Sequence, residues 1–245
     1  MRLLSCLASL FAGLFWLCAS DVTDKRPPWD AIKLVSFNQG NAADRAWPLS
    51  SPTVTAVTYP PGYRAARFNG TSAWISYPDR AEQRAYPLTV CFWFNMQGLD
   101  QVQYSSIVDK YSTGSINGWQ VWVDTSERIH AWYFGGSVLN CIYGGGDGLL
   151  FTPLGYKSAG WTHCAVTFSS SGGEIYINAT SVDTQAWTGT PTAATTTHRL
   201  GIGQHNLSGS TYYGGDLDDL RIYNTVKTAA EIGAIYAEGI GASRP

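Results

Sequence analysis

The sequence has few charged residues and no excess of either sign. Charged side chains make up 14% of the 245 residues, whereas about a quarter is usual for soluble domains. The 16 lysines and arginines nearly balance the 18 aspartates and glutamates, so the formal net charge is −2. Because nucleic-acid binding needs clustered basic side chains that neutralise phosphates, nucleic acid is excluded as the main partner. The 44% hydrophobic content, with 14 tyrosines, 10 tryptophans and 26 glycines, excludes a disordered chain and is typical of secreted β proteins.

Common catalytic and metal-binding motifs are also missing from the sequence. There is no Gly-x-Ser-x-Gly segment for a nucleophilic serine. No pair of histidines has the spacing of a zinc site; the four are His130, His163, His198 and His205. The first two fall within predicted strands, where we interpret them as hydrogen-bonded sheet residues.

The first twenty residues predict an export signal. Arg2 supplies one positive charge, an apolar run extends to Leu17, and small side chains end the segment before Asp21. The run is shorter than the roughly 20 apolar residues of a membrane-spanning helix, which favours cleavage over a retained anchor. The predicted protein is therefore secreted or displayed at the cell surface, with no stable membrane span after cleavage.

The rest of the chain divides into two parts. Residues 21–32, which contain Pro27 and Pro28, predict a leader or linker. Residues 33–245 predict one domain, and no repeat of fixed period divides it.

Short runs of β-branched and aromatic residues alternate with glycine-containing turns along this domain. Such a series predicts an all-β antiparallel sandwich rather than alternating strands and helices. The predicted strands are 33–37, 64–68, 73–77, 88–95, 105–109, 118–124, 128–134, 137–143, 161–168, 173–178, 198–203 and 216–223.

Two patterns refine this architecture. In 88–95 one face carries only core residues, whereas the opposite face, with Cys91 and Trp93, is half apolar and must also be covered. Near the end, Thr228 and Glu231 form a capping box before the helically spaced Ile232, Ile235 and Tyr236. We expect one short C-terminal helix, which Gly239 ends.

The order of these segments resembles the laminin-G-like, concanavalin A-like jelly-roll superfamily of lectins and glucanases. The matching segments are Arg67 to Ile75, Leu88 to Phe94, Gly160 to Phe168, Gly173 to Asn178 and Gly215 to Asn224, followed by the helix. The resemblance implies a two-sheet antiparallel jelly-roll sandwich.

Within that superfamily, the cysteine pattern is most similar to that of pentraxins. In these proteins a Thr-Val-Cys strand and a His-x-Cys strand share a disulfide. Here Thr89-Val90-Cys91 matches the first, and Thr162-His163-Cys164 corresponds to the second but has its His directly beside the Cys. The resemblance therefore implies a Cys91–Cys164 bridge, which leaves Cys141 without an assigned role. Three buried thiols are the alternative if the chain stays in a reducing compartment.

The same resemblance raises the question of calcium, which pentraxins bind through two loops. The corresponding oxygen donors here are Asn69, Gln204 and Asn206, but the carboxylates of the family are missing. Because calcium takes six to eight oxygen ligands, we expect at most one weakly bound ion.

Sugar binding without a metal uses aromatic rings beside planar amides. The aromatic candidates are Trp187, Tyr212, Tyr213, Tyr143, Trp132 and Trp119. Packing across neighbouring strands is the preferred interpretation for Trp119, Trp122 and Trp132. The predicted ligand-binding residues are Gln204, His205, Asn206, Tyr212, Tyr213 and Trp187.

The Glu-x-Asp-x-x-Glu pattern of the glucanase branch is missing, although Asp216 and Asp218 share a strand face beside Asp219. The resemblance implies that this acidic run is structural, with its carboxylates bonded to loop amides.

The favoured hypothesis is therefore a secreted, non-catalytic module that binds extracellular carbohydrate or protein. The first alternative is a self-assembling subunit of a surface, filament or virion exterior, which would be a homo-oligomer. A glycoside hydrolase or lyase is the second alternative.

Overall fold

The structure is a computed structural model of the chain. It describes residues 31–35, 37, 51–61, 65–135, 150–153, 155–187, 189–205 and 210–240. The predicted signal peptide, the predicted strand 137–143, Cys141, Tyr143 and Asn206 lie outside these residues.

The described residues form two seven-stranded antiparallel sheets. Sheet 1 has the order β1 (Ala31–Val35), β14 (Gly214–Tyr223), β5 (Leu88–Asn95), β10 (Thr162–Ser169), β11 (Gly172–Ile177) and β12 (Thr180–Ala186), with β3 (Ala66–Asn69) also paired to β14. Sheet 2 has the order β2 (Thr53–Thr55), β4 (Trp74–Tyr77), β13 (Leu200–Ile202), β6 (Ser105–Asp109), β7 (Gly118–Val123), β8 (Ile129–Phe134) and β9 (Leu150–Phe151).

The inner faces of both sheets share one hydrophobic core. Phe92 and Phe94 enter it from sheet 1, and Trp119 and Val121 enter it from sheet 2, all of them buried. Each strand contributes alternate side chains, because successive residues of a strand point to opposite faces. The predicted two-layer antiparallel jelly-roll sandwich is confirmed.

The outer face of sheet 1 is covered by the helix α1 (Ala229–Ile240). Ile232 and Ile235 pack against Cys91, and the Tyr236 ring stacks on Trp93 with centroids 5.5 Å apart. The half-apolar face of 88–95 is thus covered, as its sequence requires. Within the described residues, no helix is long and apolar enough to cross a membrane.

The capping box that begins α1 is present, whereas the predicted stop is wrong. Glu231 N–H donates to Thr228 Oγ1 at 3.3 Å, and Thr228 N–H donates to Glu231 Oε2 at 2.7 Å. Gly239 lies inside the helix, where a Cβ atom would come within 2.2 Å of Trp93 Nε1. Because Gly239 has no side chain, the helix packs closely on Trp93, and the helix continues to Ile240.

Predicted strands 88–95 and 105–109 have the observed bounds, and most others differ by a few residues. β1 begins at Ala31, inside the range predicted as linker. β2, β9 and β12 were not predicted from the sequence. β12 is an edge strand of exposed and half-exposed residues, so it lacks the apolar alternation that identifies a strand.

The predicted Cys91–Cys164 disulfide is wrong for this structure, in which both thiols are free and buried. The two cysteines lie on the adjacent strands β5 and β10, but Cys91 pairs with Ala165 and Cys164 pairs with Phe92. Because paired residues share a face, Cys91 points toward α1 and Cys164 points into the core between the sheets. Burial raises the pKa of the Cys91 thiol to about 12.

Candidate ligand-binding face

The outer face of sheet 2 is rich in aromatic side chains. In β7 and β8, the residues between the core positions point outward, and the register places Trp122 opposite His130 and Gln120 opposite Trp132. We call this surface the aromatic face, and it comprises Tyr104, Tyr111, Trp122, His130, Trp132, Phe134 and His205.

The rings of the aromatic face contact one another directly. Trp122 lies at the centre, with its ring stacked on His130 at 4.1 Å and 5.2 Å from the Trp132 ring. Tyr104 lies 4.7 Å from Trp122, and Tyr111 lies 5.3 Å from Trp132. The interpretation that Trp122 and Trp132 pack across neighbouring strands is confirmed. Trp119 is different, because it points inward and its Nε1 donates to the Gln83 carbonyl at 2.8 Å.

Two aspartates hold the two imidazoles of this face. Asp124 Oδ2 lies 2.9 Å from His130 Nε2, and Asp109 Oδ2 lies 3.1 Å from His205 Nδ1. Burial lowers the pKa of His130, although the neighbouring Asp124 carboxylate opposes this effect. The His130 ring is therefore neutral at pH 7 and donates a hydrogen bond to Asp124. Arg128 also donates to Asp124, at 2.8 Å.

The floor of the aromatic face contains buried polar atoms without hydrogen-bond partners in the described structure. They are Ser106 Oγ, Gln120 Nε2, Trp122 Nε1, Gln204 Oε1 and His205 Nε2. Buried polar atoms are normally hydrogen-bonded, because an unmade bond leaves the desolvation of the atom uncompensated. Donors and acceptors are both present among them, which suits a ligand that carries hydroxyl groups.

The rim of this face is more exposed than its floor. Tyr104 is 40% exposed, whereas Trp122 and Trp132 are 2% and 8% exposed. Tyr212 is partly exposed, and its main chain forms bridges to Ser106 and Gln204. Trp74 and Arg199 are also partly exposed and stand at the β4–β13 side.

The structure brings three of the predicted ligand-binding residues together and separates two others from them. Gln204, His205 and Tyr212 all border the aromatic face. The prediction that Tyr213 binds a ligand is wrong. Tyr213 is fully buried in the core, where its ring lies 6.1 Å from the Phe68 ring, and burial raises its pKa well above the usual value. Because Tyr212 and Tyr213 are adjacent in extended chain, only one of them can point outward.

The prediction that Trp187 binds a ligand together with these residues is also wrong, because Trp187 lies away from the aromatic face. Its Nε1 donates to the Ser169 carbonyl at 2.6 Å, and its ring packs against Tyr86, Tyr133 and Phe168. These contacts make it a covering residue of the core rather than a platform on the aromatic face.

The predicted calcium ligand Asn69 serves the turn between β3 and β4 instead. Its Oδ1 accepts hydrogen bonds from the backbone N–H groups of Thr71, Ser72 and Ala73 at 2.9–3.0 Å. This oxygen is thus committed to the backbone. Among the described residues there is no cluster of three or more His, Cys, Asp or Glu side chains that would hold a metal ion.

The acidic run of β14 has a structural role, although its partners differ from those expected. Asp216 forms a two-bond ion pair with Arg67, at 2.8 and 2.9 Å, and Asp219 forms one with Arg221, at 2.9 and 2.7 Å. Asp218 Oδ1 accepts from the Asp219 N–H at 2.8 Å. Guanidinium groups therefore hold two of the three carboxylates, where the resemblance implied loop amides.

Sequence reasoning did not identify Tyr104, Tyr111, Asp109, Asp124 and Arg199 as residues of this face. The alternation of β7 and β8 contained a usable signal, because His130, Trp132 and Phe134 share the strand face opposite the core residues Ile129, Ala131 and Tyr133. The residues supplied by loops carry no such periodicity.

Comparison with known families agrees with this fold. Residues 69–233 match the laminin G model of the Concanavalin A-like lectin/glucanases superfamily. The match covers more than half of the chain, which therefore belongs to that superfamily.

Solved structures with the same fold include toxin binding domains at low sequence identity. The binding domain of Paraclostridial Mosquitocidal Protein 1 superposes with a TM-score of 0.69 at 13% identity, over 86% of this chain and 53% of that one. The botulinum neurotoxin serotype D ligand-binding domain, in complex with N-acetylneuraminic acid, gives a TM-score of 0.67 at 14% identity, over 86% and 52%. The chain thus spans about half the length of these domains. No curated protein matches the sequence.

Proposed function

We propose that the protein is a non-catalytic binding module that recognises carbohydrate through the aromatic face. The observation that carries this proposal is the floor of aromatic rings in which buried donors and acceptors have no protein partner. Sugars present apolar C–H faces, which pack on rings, and hydroxyl groups, which satisfy such polar atoms. Binding sites for small molecules combine these same two features.

The structural neighbours support the class of function rather than the ligand. They are described as binding domains of toxins, and one was solved in complex with N-acetylneuraminic acid. Because this chain matches about half of each domain, that ligand is no guide to the sugar recognised here. The predicted export signal supports an extracellular ligand, and secretion remains a proposal.

The placement of the acidic residues of the aromatic face argues against glycoside hydrolysis. Asp109 pairs with Gln120 across β6 and β7, and Asp124 lies four residues beyond Gln120. Four strand residues span about 13 Å, whereas paired catalytic carboxylates of glycosidases stand about 5–9.5 Å apart. Each of these aspartates is also bonded to a histidine. We therefore expect no release of reducing ends from polysaccharides.

A glycan array probed with the purified protein tests the proposal. We expect binding to a defined group of glycans, and at least a tenfold loss in Tyr212→Ala, which removes a rim ring beside Gln204. Val226→Ala is the matched control, because Val226 is 37% exposed and follows β14 of sheet 1. Failure to bind any glycan, or equal binding by both variants, would overturn the proposal.

Self-assembly is the second candidate, and one feature favours it. Leu99, Val102 and Tyr104 are 42%, 46% and 40% exposed on the segment between β5 and β6. Exposed apolar side chains grouped in this way are typical of protein contacts. Sedimentation velocity distinguishes the candidates, because a monomer at all concentrations excludes an assembling subunit.

A further inference from the structure

Arg199 has an unusual environment at the β13 side of the aromatic face. Its guanidinium carbon lies 4.7 Å from the centroid of the Trp74 ring, which is a cation–π distance. Its hydrogen bond to a protein atom, from Nη1 to Ser76 Oγ, is long at 3.4 Å. Most of the five N–H donors of this guanidinium therefore have no acceptor within the described chain.

The other described arginines all have a carboxylate partner. These pairs are Arg67–Asp216, Arg80–Glu82, Arg84–Asp79, Arg128–Asp124 and Arg221 with both Asp219 and Glu238. Arg199 forms no such ion pair within the described chain, although it is only partly exposed. A partly desolvated guanidinium is stabilised by an anion, and its planar fork fits a carboxylate with two parallel hydrogen bonds.

The outer face of β13 leads from this guanidinium toward the aromatic face. Gly201 lies in the sheet row between Ser76 and Asp109. The Gln204 carbonyl oxygen lies 2.8 Å from the position that a Cβ atom of Gly201 would take, so backbone fills this point. Arg199 and Gly201 share the outer face, because Leu200 and Ile202 both point into the core. Gly201 pairs with Asp109, which contacts His205, so this face of β13 adjoins the aromatic face.

Asp109, on the neighbouring strand β6, is already engaged. Its Oδ2 lies 3.1 Å from His205 Nδ1, and its Oδ1 accepts from the Tyr111 N–H at 2.8 Å. Asp109 is close enough to act on Arg199 electrostatically and opposes the lowering of the Arg199 pKa that burial causes. It forms no direct ion pair with Arg199, which keeps the guanidinium fork open.

We propose that Arg199, Trp74 and Ser76 form a subsite for the carboxylate of an acidic sugar, a uronic or sialic acid residue, at the edge of the aromatic face. This inference rests on the proposed function, because it specifies the class of sugar that the face recognises. Stacking on Trp74 orients the guanidinium before the ligand arrives, so less side-chain freedom is lost on binding. The sugar ring then lies along the outer face of β13 toward His205, whose Nε2 is one of the buried atoms without a partner in the described structure.

The test compares each acidic sugar with the same sugar lacking its charge. Calorimetry measures binding of sialyllactose and of a glucuronic-acid-terminated disaccharide, each beside its methyl ester, and of neutral lactose. We expect the free acid of at least one pair to bind at least tenfold more tightly than its ester, with a preference that decreases as salt rises. Arg199→Gln should remove this preference, so that acid and ester bind equally, whereas Arg199→Lys should keep part of it.

Lys227→Gln is the matched control, because Lys227 also lies over an aromatic ring, 4.5 Å from the centroid of Tyr223, but on sheet 1. It should keep the full preference for the acid. The wild-type comparison of acid with ester does not depend on how well any variant folds. Equal binding of both acids and their esters, or neutral glycans bound on the array while both acids fail, would overturn this inference and leave the proposed function standing. Binding of no glycan of any kind would overturn both.

Discussion

His130 connects the electrostatics of the aromatic face to the stability of the protein. Its ring lies between Trp122, on which it stacks, and Asp124, to which it donates a hydrogen bond. Burial is the largest influence on its pKa and lowers it below the ordinary value of 6.5. The unfolded chain therefore takes up a proton at this residue at a higher pH than the folded chain does.

We predict that the free energy of unfolding decreases as the pH falls from 7.5 to 5.5. In this range the unfolded state binds the proton first, so acid favours unfolding. Urea unfolding at a series of pH values measures the effect. The variant His130→Gln keeps a donor for Asp124 but does not titrate, so its stability should change less over the same range.

The pKa of Asp124 is also lowered, but its effect on the stability of the fold falls in a more acidic pH range. Burial alone would raise it, and the hydrogen bonds from Arg128, His130 and Ser126 outweigh that effect. Ionised Asp124 therefore stabilises the fold above its ordinary pKa of 3.8 and loses this contribution in stronger acid. A wild-type stability that is flat from pH 7.5 to 5.5, or one whose slope survives in His130→Gln, would contradict the assignment to His130.

At the scale of single residues, the sequence indicates which side chains are amphipathic but not the direction in which each one points. Gln204 and Tyr212 were predicted from the amphipathic character of their loop, and both border the aromatic face. Tyr213 has the same chemistry but the opposite direction, which the sequence of an irregular loop does not specify. The prediction of the Cys91–Cys164 disulfide was wrong for a similar reason, because a bridge can form only when both cysteines point toward the same side of the sheet.

The helix α1 provides a test at the scale of an element, because two of its glycines stand in opposite environments. A Cβ atom on Gly239 would lie 2.2 Å from Trp93 Nε1, whereas one on Gly233 would meet nothing within 4 Å. We predict that Gly239→Ala destabilises the protein by about 1–3 kcal/mol through overpacking. Gly233→Ala should stabilise it by about 0.5–1 kcal/mol, because alanine restricts the unfolded chain.

Chemical denaturation of the two variants beside the wild type measures both effects. Because each variant adds one methyl group to the same helix, helix propensity alone would shift both in the same direction. Equal stabilisation by the two substitutions would show that α1 does not approach Trp93 as closely as the structure indicates.

Elements with a strong local pattern were predictable, and those that depend on neighbours were not. The capping box and the alternation of β5 are properties of a few adjacent residues, and both were confirmed. The continuation of α1 through Gly239 depends on the packing partner Trp93, which is distant in sequence. β12 exists because β11 offers it an edge for hydrogen bonding, and its own residues hardly distinguish it from a loop.

At the scale of the whole molecule, the two outer faces of the sandwich differ in what covers them. On sheet 1, α1 covers the strands with Ile232, Ile235 and Tyr236, so the face is closed by apolar contacts. On sheet 2, the aromatic face combines rings with polar atoms that lack partners in the described chain. Membership of the superfamily defines the sandwich but not which face binds, since one fold supports many functions.

We predict that equivalent truncations on the two faces separate stability from binding. Tyr236→Ala removes a ring that stacks on Trp93 and contacts His163, so it should lower the free energy of unfolding by about 1–3 kcal/mol. Tyr104→Ala removes a ring that is 40% exposed beside Trp122, so its effect on stability should stay below about 1 kcal/mol.

The affinity of Tyr104→Ala for the glycans identified on the array should fall at least tenfold, whereas folded Tyr236→Ala should keep wild-type affinity. Denaturant melts and calorimetry on the same preparations measure both quantities, and loss of affinity in Tyr236→Ala alone would place the binding surface on sheet 1.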